Sequence, residues 1–534
     1  MLKSKKYFLI NQSSGQVSQA RLESKRNTLT FYLPNSSLIY LNRGLVSTMK
    51  LFAGLDIGTD GARIDVLTED LELKYENSIN YELLSPRQGW AEQDPDQIFD
   101  VVSTLLIKVV EKFGQEDLYI VFCSVMHSIM AVDKEGNKLS NLIIWADSRG
   151  EEYRDKLSEN YDSNLFYSRT ACPLHSSYWP AKIMWLKKNI SEKIDKYVSI
   201  KEYLIFRLTG KWKTDYALAS TSGIFNSLNR EYDKKIMKIL GLTENDLAEV
   251  YSGQHIFEFK VNNREITGIL GSTDGALANL GAGSINENKI VLTAGSSSAV
   301  RYTSAEYTHD PEGRAWNYFI DQDLYIIGEA TNGAGLVFDW LKNILSYDDI
   351  KKFSRENLPQ IPYQGNELIY IPTMMGERAP SYNEKTRGFF YGLSLNHSRE
   401  DLVLAVYESI AFHLKLIYED LKRLNNCEQI EIIMTGGLGL TDHFMKLLSY
   451  LIGEIKYIPD YKQNTAVGAA MLGIKVVDGI SYKDLLKYLP DYKTVKNNNE
   501  PEFASYLDSK YQHFCEVYQH LQENYEVFTF SNKT

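Results

Sequence analysis

The chain has 534 residues, more than a single hydrophobic core ordinarily supports, so two large domains are expected. A formal net charge of −11 argues against a nucleic-acid partner, which would need a basic stripe, although backbone amides can still bind phosphate locally. Cys123, Cys172, Cys427 and Cys515 are dispersed and form no CxxC pair, so neither a zinc site nor a disulfide framework is suggested; no apolar run is long enough to cross a bilayer, and a reducing cytoplasm is the expected setting.

Residues 1–48 differ from the rest. They carry Lys3, Lys5, Lys6, Arg21, Lys25, Arg26 and Arg43 against one acid, Glu23, and Met49 stands just before the first well-patterned strand. The expectation is a disordered or non-native extension, with Met49 as the functional start. KLFAGLDIGTDGARIDVLTED then reads as strand, tight Gly turn, strand. In DPDQIFDVVSTLLIKVVEKFG a helix is predicted, with Asp94 as cap, Pro95 in the first turn, and Ile98, Val101, Val102, Leu105, Leu106, Val109 and Phe113 as one apolar stripe ending at Gly114. DLYIVFCSV follows as a buried strand. After a long mixed region, KIVLTAGSSSAVRYTS repeats the strand, corner, strand pattern. That weak repeat places one αβ domain at 49–284 and a second at 285–534. Further on, Ser398 with Asp401 three residues later opens a long helix, and QIEIIMTGGLGLTDHF reads as strand, Gly turn and helix, with Thr441 as cap and Gly453 as terminator.

Five segments could carry chemistry. In GLDIGTDGAR, Asp56 ends a strand where a carboxylate can hold magnesium through water, and Gly58, Thr59 and Gly61 let amides approach phosphate. Thr293, Gly295, Ser296 and Ser297 form a second such corner. Gly436 and Gly437 lie at a strand's carboxyl end, where ligands of open αβ folds collect, although both GxxxxGK[ST] and a strand-linked GxGxxG are absent. In GSTDGALANLG, Asp274 could take the proton of an attacking hydroxyl, or simply cap a helix. Met126, His127, Trp145, Asp147 and Arg149 combine apolar stacking with polar forks, as polyhydroxylated ligands require. Each segment alone also admits a bland reading: a polar hairpin, a cap, a core histidine, a surface ion pair.

In this order the segments resemble the FGGY carbohydrate kinases, and GFFYGLSLNHSREDLVLAVYE resembles a signature of that family through Gly388, Gly392, Leu393, Asp401, Ala405 and Glu408. GWAEQDP, MHSIMAVD, IIWADSR, SIKEYLIFRLTG, TDYALASTSGIFN, MGERAP and RGFFYGLSLNH are similar to gluconokinases, and several are shared with xylulokinases. The resemblance implies an α/β, two-domain, actin-like (ribonuclease H-like) ATPase fold that closes a cleft about a hinge. It implies ATP and Mg2+ as cofactors and transfer of phosphate to gluconate, giving 6-phosphogluconate. Xylulose or another pentulose or polyol is the alternative acceptor, and a catalytically impaired sugar-binding homologue is a minority alternative. Asp56 would organise magnesium, and Gly58 and Thr59 would meet the transferring phosphates. Met126, His127, Trp145, Asp147 and Arg149 would surround the acceptor, with Arg149 or Lys182 contacting its carboxylate. Asp274 would be the general base. Thr293, Gly295 and Ser296 would meet phosphate from the second domain, and Gly335, Asp339, Gly436, Gly437 and Thr441 would surround the nucleotide. The implied partners are small molecules, with no nucleic acid or membrane, and a homodimer is compatible. Three departures stand out: Asp60 lies where the family's first loop has Thr or Ser, Trp179 fills a position expected to be small, and residues 1–48 have no counterpart.

Overall fold

The computed structural model describes residues 6–10, 17–25, 28–32, 38–42 and 49–525, apart from 296, 346–365, 438–440, 460, 462–463 and 499. Met1–Lys50 with Gln115–Asp117 form one compact unit, and the remaining residues form another. The sequence suggests a tail for the leading segment. The structure instead gives it four strands, Lys6–Ile10, Val17–Lys25, Thr28–Tyr32 and Leu38–Asn42, paired antiparallel in chain order. Runs such as TLTFY and LIYLN have the β-branched and aromatic content that strands favour, which a charge count conceals.

The second unit is built on two sheets. The first runs Ile256–Val261, Arg264–Thr273, Asp117–Ser124, Lys50–Ile57, Gly61–Leu67, Leu73–Asn80 across its width. The second runs Trp316–Asp321, Leu324–Thr331, Ser298–Ser304, Lys289–Ala294, Glu431–Thr435, Ile455–Tyr457, Lys493–Val495. Each places an antiparallel hairpin near its centre, Lys50–Ile57 with Gly61–Leu67 and Lys289–Ala294 with Ser298–Ser304. Parallel pairing enters next to the second hairpin, between Lys289–Ala294 and Glu431–Thr435, and one strand away from the first, between Arg264–Thr273 and Asp117–Ser124. The weak repeat in the sequence is thus a repeat of topology, in which two corners of the same kind each lead a sheet.

Local chemistry explains the helices that matter. In Pro95–Phe113 the Asp94 carboxylate accepts from the Asp96 amide at 2.9 Å, Pro95 occupies the first turn, and Ile98, Val102, Leu105, Leu106 and Val109 are buried on one face. Burying each such side chain is worth roughly 1.5–3 kcal/mol before entropy is subtracted. Arg399–Leu424 starts with a capping box in which Ser398 and Asp401 satisfy each other's backbone amides. Asp442–Ile452 begins after Thr441 and ends at Gly453, as the residue types predict.

Two glycines bring the halves together. A Cβ on Gly281 would sit 1.9 Å from the Asn464 carbonyl oxygen, and one on Gly468 would sit 1.9 Å from that of Leu277. Only bare backbone permits this approach, so helix Asp274–Gly281 of the first half lies almost backbone to backbone with helix Asn464–Asp478 of the second. The helix that starts with Asp274 is therefore also a joint between the halves.

Candidate active site

The first hairpin turns over Gly58–Gly61, where the Gly58 amide donates to the Gly61 carbonyl at 3.0 Å. Its exposed surface is prepared from outside. The Tyr81 hydroxyl donates to the Gly58 carbonyl, Gln93 donates to the Thr59 carbonyl at 2.5 Å, and the Trp145 indole donates to Thr59 Oγ1 at 3.2 Å. Asp60 is exposed on this turn. Asp56 stands half-buried at the end of its strand, 3.5 Å from Cys123 Sγ. Burial, then repulsion from Asp274, pushes its carboxyl up to about 7.

Asp274 is the first residue of its helix, not the cap. Thr273 holds the cap position, with its buried Oγ1 unpartnered, so the local reading of Asp274 as a capping side chain is corrected. Asp274 Oδ1 accepts the Gly275 amide at 2.7 Å. Burial raises its pKa, opposed by the Gly275 amide and by Arg301. A Cβ on Gly275 would meet the Met126 methyl carbon at 2.8 Å and an Arg301 guanidinium nitrogen at 3.3 Å. Glycine there is what lets Met126, Arg301 and the Asp274 carboxylate share one corner.

His127 adopts φ +63°, a conformation that costs a non-glycine residue about 1–2 kcal/mol and is found where a side chain must be aimed. Its Nδ1 lies 2.8 Å from the Thr221 carbonyl, so Nδ1 carries the proton and Nε2 is left as an acceptor. Burial holds the imidazole neutral, with its pKa down at about 3. The loop is clamped from the helix Trp179–Asn189. Trp179 Nε1 donates to the Ser128 carbonyl at 3.1 Å, and Lys182 Nζ donates to the carbonyls of His127 at 3.0 Å and Ile144 at 2.9 Å. Trp179 at the expected small position thus helps to hold the strained loop.

Three residues expected to touch substrate are engaged elsewhere. Arg149 is forked onto Asp147 at 2.8 and 2.7 Å, paired with Glu92 at 2.6 Å, and stacked over Trp90 at 3.8 Å. Asp147 Oδ2, one of the two oxygens in that fork, also accepts the Ala91 amide at 2.6 Å. Lys182 is fully buried on its two carbonyls, and burial lowers its pKa to about 7. In sequence such residues look like ligand contacts, because a sequence shows a charge but not what neutralises it. In the fold they lock the walls.

From the second half, Thr293 Oγ1 is within 2.9 Å of Thr435 Oγ1 and 3.3 Å of Arg301. The Gly335 amide donates to the Gly295 carbonyl at 2.9 Å, tying the start of helix Gly335–Leu345 to this corner. Gly436, at φ +89°, turns the chain over Ala294, and Gly437 and Thr441 follow toward the next helix. Ser296 lies outside the described residues, as does the side chain of Asp339. Of the spaced signature, Glu408 is buried against Lys510 at 2.6 Å, and Asp401 serves its capping box, so both support the fold rather than a ligand. Two residues carry no sequence signal of their own: Arg301, the one charge on the hairpin strand SAVRYTS, and Arg378 of MGERAP. The Arg378 guanidinium lies 5.0 Å over the Trp145 ring and donates to the Thr331 carbonyl at 3.2 Å.

Two Gly-rich hairpin corners, one carboxylate at a helix start and a polar wall fit phosphoryl transfer to a hydroxyl. Residues 51–281 match the N-terminal domain of the FGGY family of carbohydrate kinases, and residues 290–476 match its C-terminal domain. The chain belongs to the FGGY family. It is 28% identical over 445 residues to a gluconokinase of Bacillus subtilis (strain 168), covering 79% of this chain and 86% of that one. It is 26% identical over 441 residues to a xylulose kinase of Staphylococcus xylosus, covering 79% and 90%. The crystal structure of gluconate kinase from Lactobacillus acidophilus superposes with a TM-score of 0.82 at 26% identity, over 90% of this chain and all of that one. This FGGY kinase therefore has the actin-like two-domain ATPase fold and is a phosphotransferase with an alcohol group as acceptor.

Proposed function

We propose that this FGGY kinase transfers the γ-phosphate of ATP to the 6-hydroxyl of gluconate, giving 6-phosphogluconate and ADP. The observation that carries the phosphoryl-transfer part is the corner shared by Asp274, Gly275, Met126 and Arg301, in which Asp274 repels Asp56 of the first hairpin and Arg301 bonds Thr293 of the second. The similarity to gluconokinases supports the choice of acceptor.

Asp274 receives the hydroxyl proton as the substrate oxygen attacks phosphorus in line, and ADP departs. Arg301, from the opposite half, opposes the rise in pKa that burial imposes on this carboxyl and stands beside Thr293 at the second phosphate corner. His127 Nε2 accepts a hydrogen bond from an acceptor hydroxyl, and Trp145 and Met126 supply apolar faces. Asp56 fits a magnesium ion: its burial and the repulsion from Asp274 call for a cation, and magnesium is ordinarily held by one or two carboxylates plus phosphates and water. When bound, magnesium neutralises charge on the transferring phosphates. Gly335, Gly436, Gly437 and Thr441 would border the nucleotide, and a cytoplasmic setting fits these substrates.

Purified protein with ATP and magnesium, assayed side by side on gluconate, xylulose, ribulose and glycerol, tests the reading. Gluconate should give the highest kcat/KM. A higher value on xylulose would replace gluconate by a pentulose, as the similarity to xylulose kinases allows. No turnover on any of them would favour the impaired homologue.

A further inference from the structure

A sugar acid needs a cation for its carboxylate, and the two cations first suspected are neutralised inside the walls. Arg378 is different. Apart from its single bond to the Thr331 carbonyl and its stacking on Trp145, its Nε is buried without a partner. Among the described residues no carboxylate pairs with it. The adjacent Glu377 is drawn away behind the loop, where it meets His413 at 3.0 Å, Tyr518 at 2.6 Å and Gln522 at 2.9 Å. The neighbours of Arg378 are rings, Trp145, Tyr178, Tyr318, Tyr382 and the neutral His127 and His175, together with a second cation, Arg301, and none of them supplies a negative charge. A guanidinium in such surroundings lacks its anion, and burying a charge unpaired is costly unless a ligand supplies the partner.

Its place indicates which anion. Arg301 lies beside Asp274 and Thr293, on the side of the transferred phosphate, and has Arg378 as a further electrostatic neighbour. Arg378 reaches from the second half onto Trp145 and the His127 side, where the acceptor's hydroxyls would lie. An acceptor with its reacting hydroxyl at Asp274 would carry its far end toward Arg378. We propose that Arg378 binds the carboxylate of the acceptor and so selects sugar acids over neutral sugars. Its planar fork suits a carboxylate, and Trp145 holds the plane.

This rests on the sugar-kinase reading above, and one experiment separates the two. Wild type, Arg378→Gln and Arg378→Lys are assayed on gluconate, other six-carbon sugar acids and the neutral counterpart glucitol, with thermal unfolding as a check of folding. In Arg378→Gln the ratio of kcat/KM for the acid to that for glucitol should fall by about 100-fold, mainly through the acid's KM and not that of ATP. Arg378→Lys, which keeps the charge but loses the planar fork, should lower the ratio by an intermediate amount, about 10-fold, and also covers the case that the glutamine variant does not fold. An unchanged ratio in either folded variant, or a loss confined to the KM of ATP, overturns the proposal while leaving gluconate phosphorylation standing. Activity on a different sugar acid with the same dependence on Arg378 overturns gluconate but upholds Arg378. Activity on neutral acceptors alone overturns both.

Discussion

Replacing Gly275 by alanine separates the site's geometry from the fold's stability. The residue is the second of helix Asp274–Gly281, and its φ lies outside the left-handed region, so alanine fits the backbone and should gain up to about 1 kcal/mol of helix propensity. The new methyl would lie 2.8 Å from the Met126 methyl and 3.3 Å from the Arg301 guanidinium. Both are ends of flexible side chains, so they can yield at a cost of about 1 kcal/mol, and net stability should stay within about 1 kcal/mol of wild type. Their displacement, however, occurs at the corner where the acceptor oxygen would meet Asp274. Misplacement of about 1 Å there costs on the order of 100-fold. Thermal unfolding together with a coupled assay for ADP release should therefore show a normal melt and a kcat/KM reduced about 10- to 100-fold. A folded variant with wild-type kcat/KM would refute the assignment of this corner to the reaction.

Lys182→Met strands the carbonyls of His127 and Ile144, and urea unfolding should show a loss of about 2–4 kcal/mol together with a raised acceptor KM; unaltered stability would contradict the clamp. Asp60→Thr removes an exposed carboxylate from the first phosphate corner, worth about 1 kcal/mol at 4 Å in water, so the KM for ATP should drop about fivefold at low salt and less at high salt; no drop would mark Asp60 as tolerated. Asp56 has a folded value of about 7, above that of an unfolded carboxylate, so between about pH 4 and 7 the folded protein holds a proton that the unfolded chain has released. Without magnesium, stability should thus fall by about 1–2 kcal/mol, discounted for partial exposure, as pH rises through that window. Asp56→Asn should lack that slope in melts at pH 5 and 8, and parallel profiles would refute the shift.

Features set by local chemistry were legible in the sequence. The caps Asp94, Ser398 and Thr441, the stop at Gly453 and the two hairpins follow from residue type and spacing. Features set by long-range pairing were not. Asp147, Arg149 and Lys182 look like ligand residues until Glu92, Ala91, Ile144 and the His127 carbonyl are brought to them by the fold. Arg378 shows the converse: in sequence it is one arginine of MGERAP, and only the removal of Glu377 toward His413 and Tyr518 leaves its charge unmatched. The positive φ of His127 and the near-contact of Gly281 with Gly468's helix likewise have no sequence signal beyond a histidine and two glycines. The leading strands were missed because charge count outweighed their β-forming runs.

The most direct test is Asp274→Asn, which keeps the side chain's shape and the hydrogen bond from Gly275 but removes the proton acceptor. Titration with ATP should show wild-type affinity, and turnover should fall by about two to four powers of ten, the usual scale for a general base. Near-normal turnover in that variant would contradict the account.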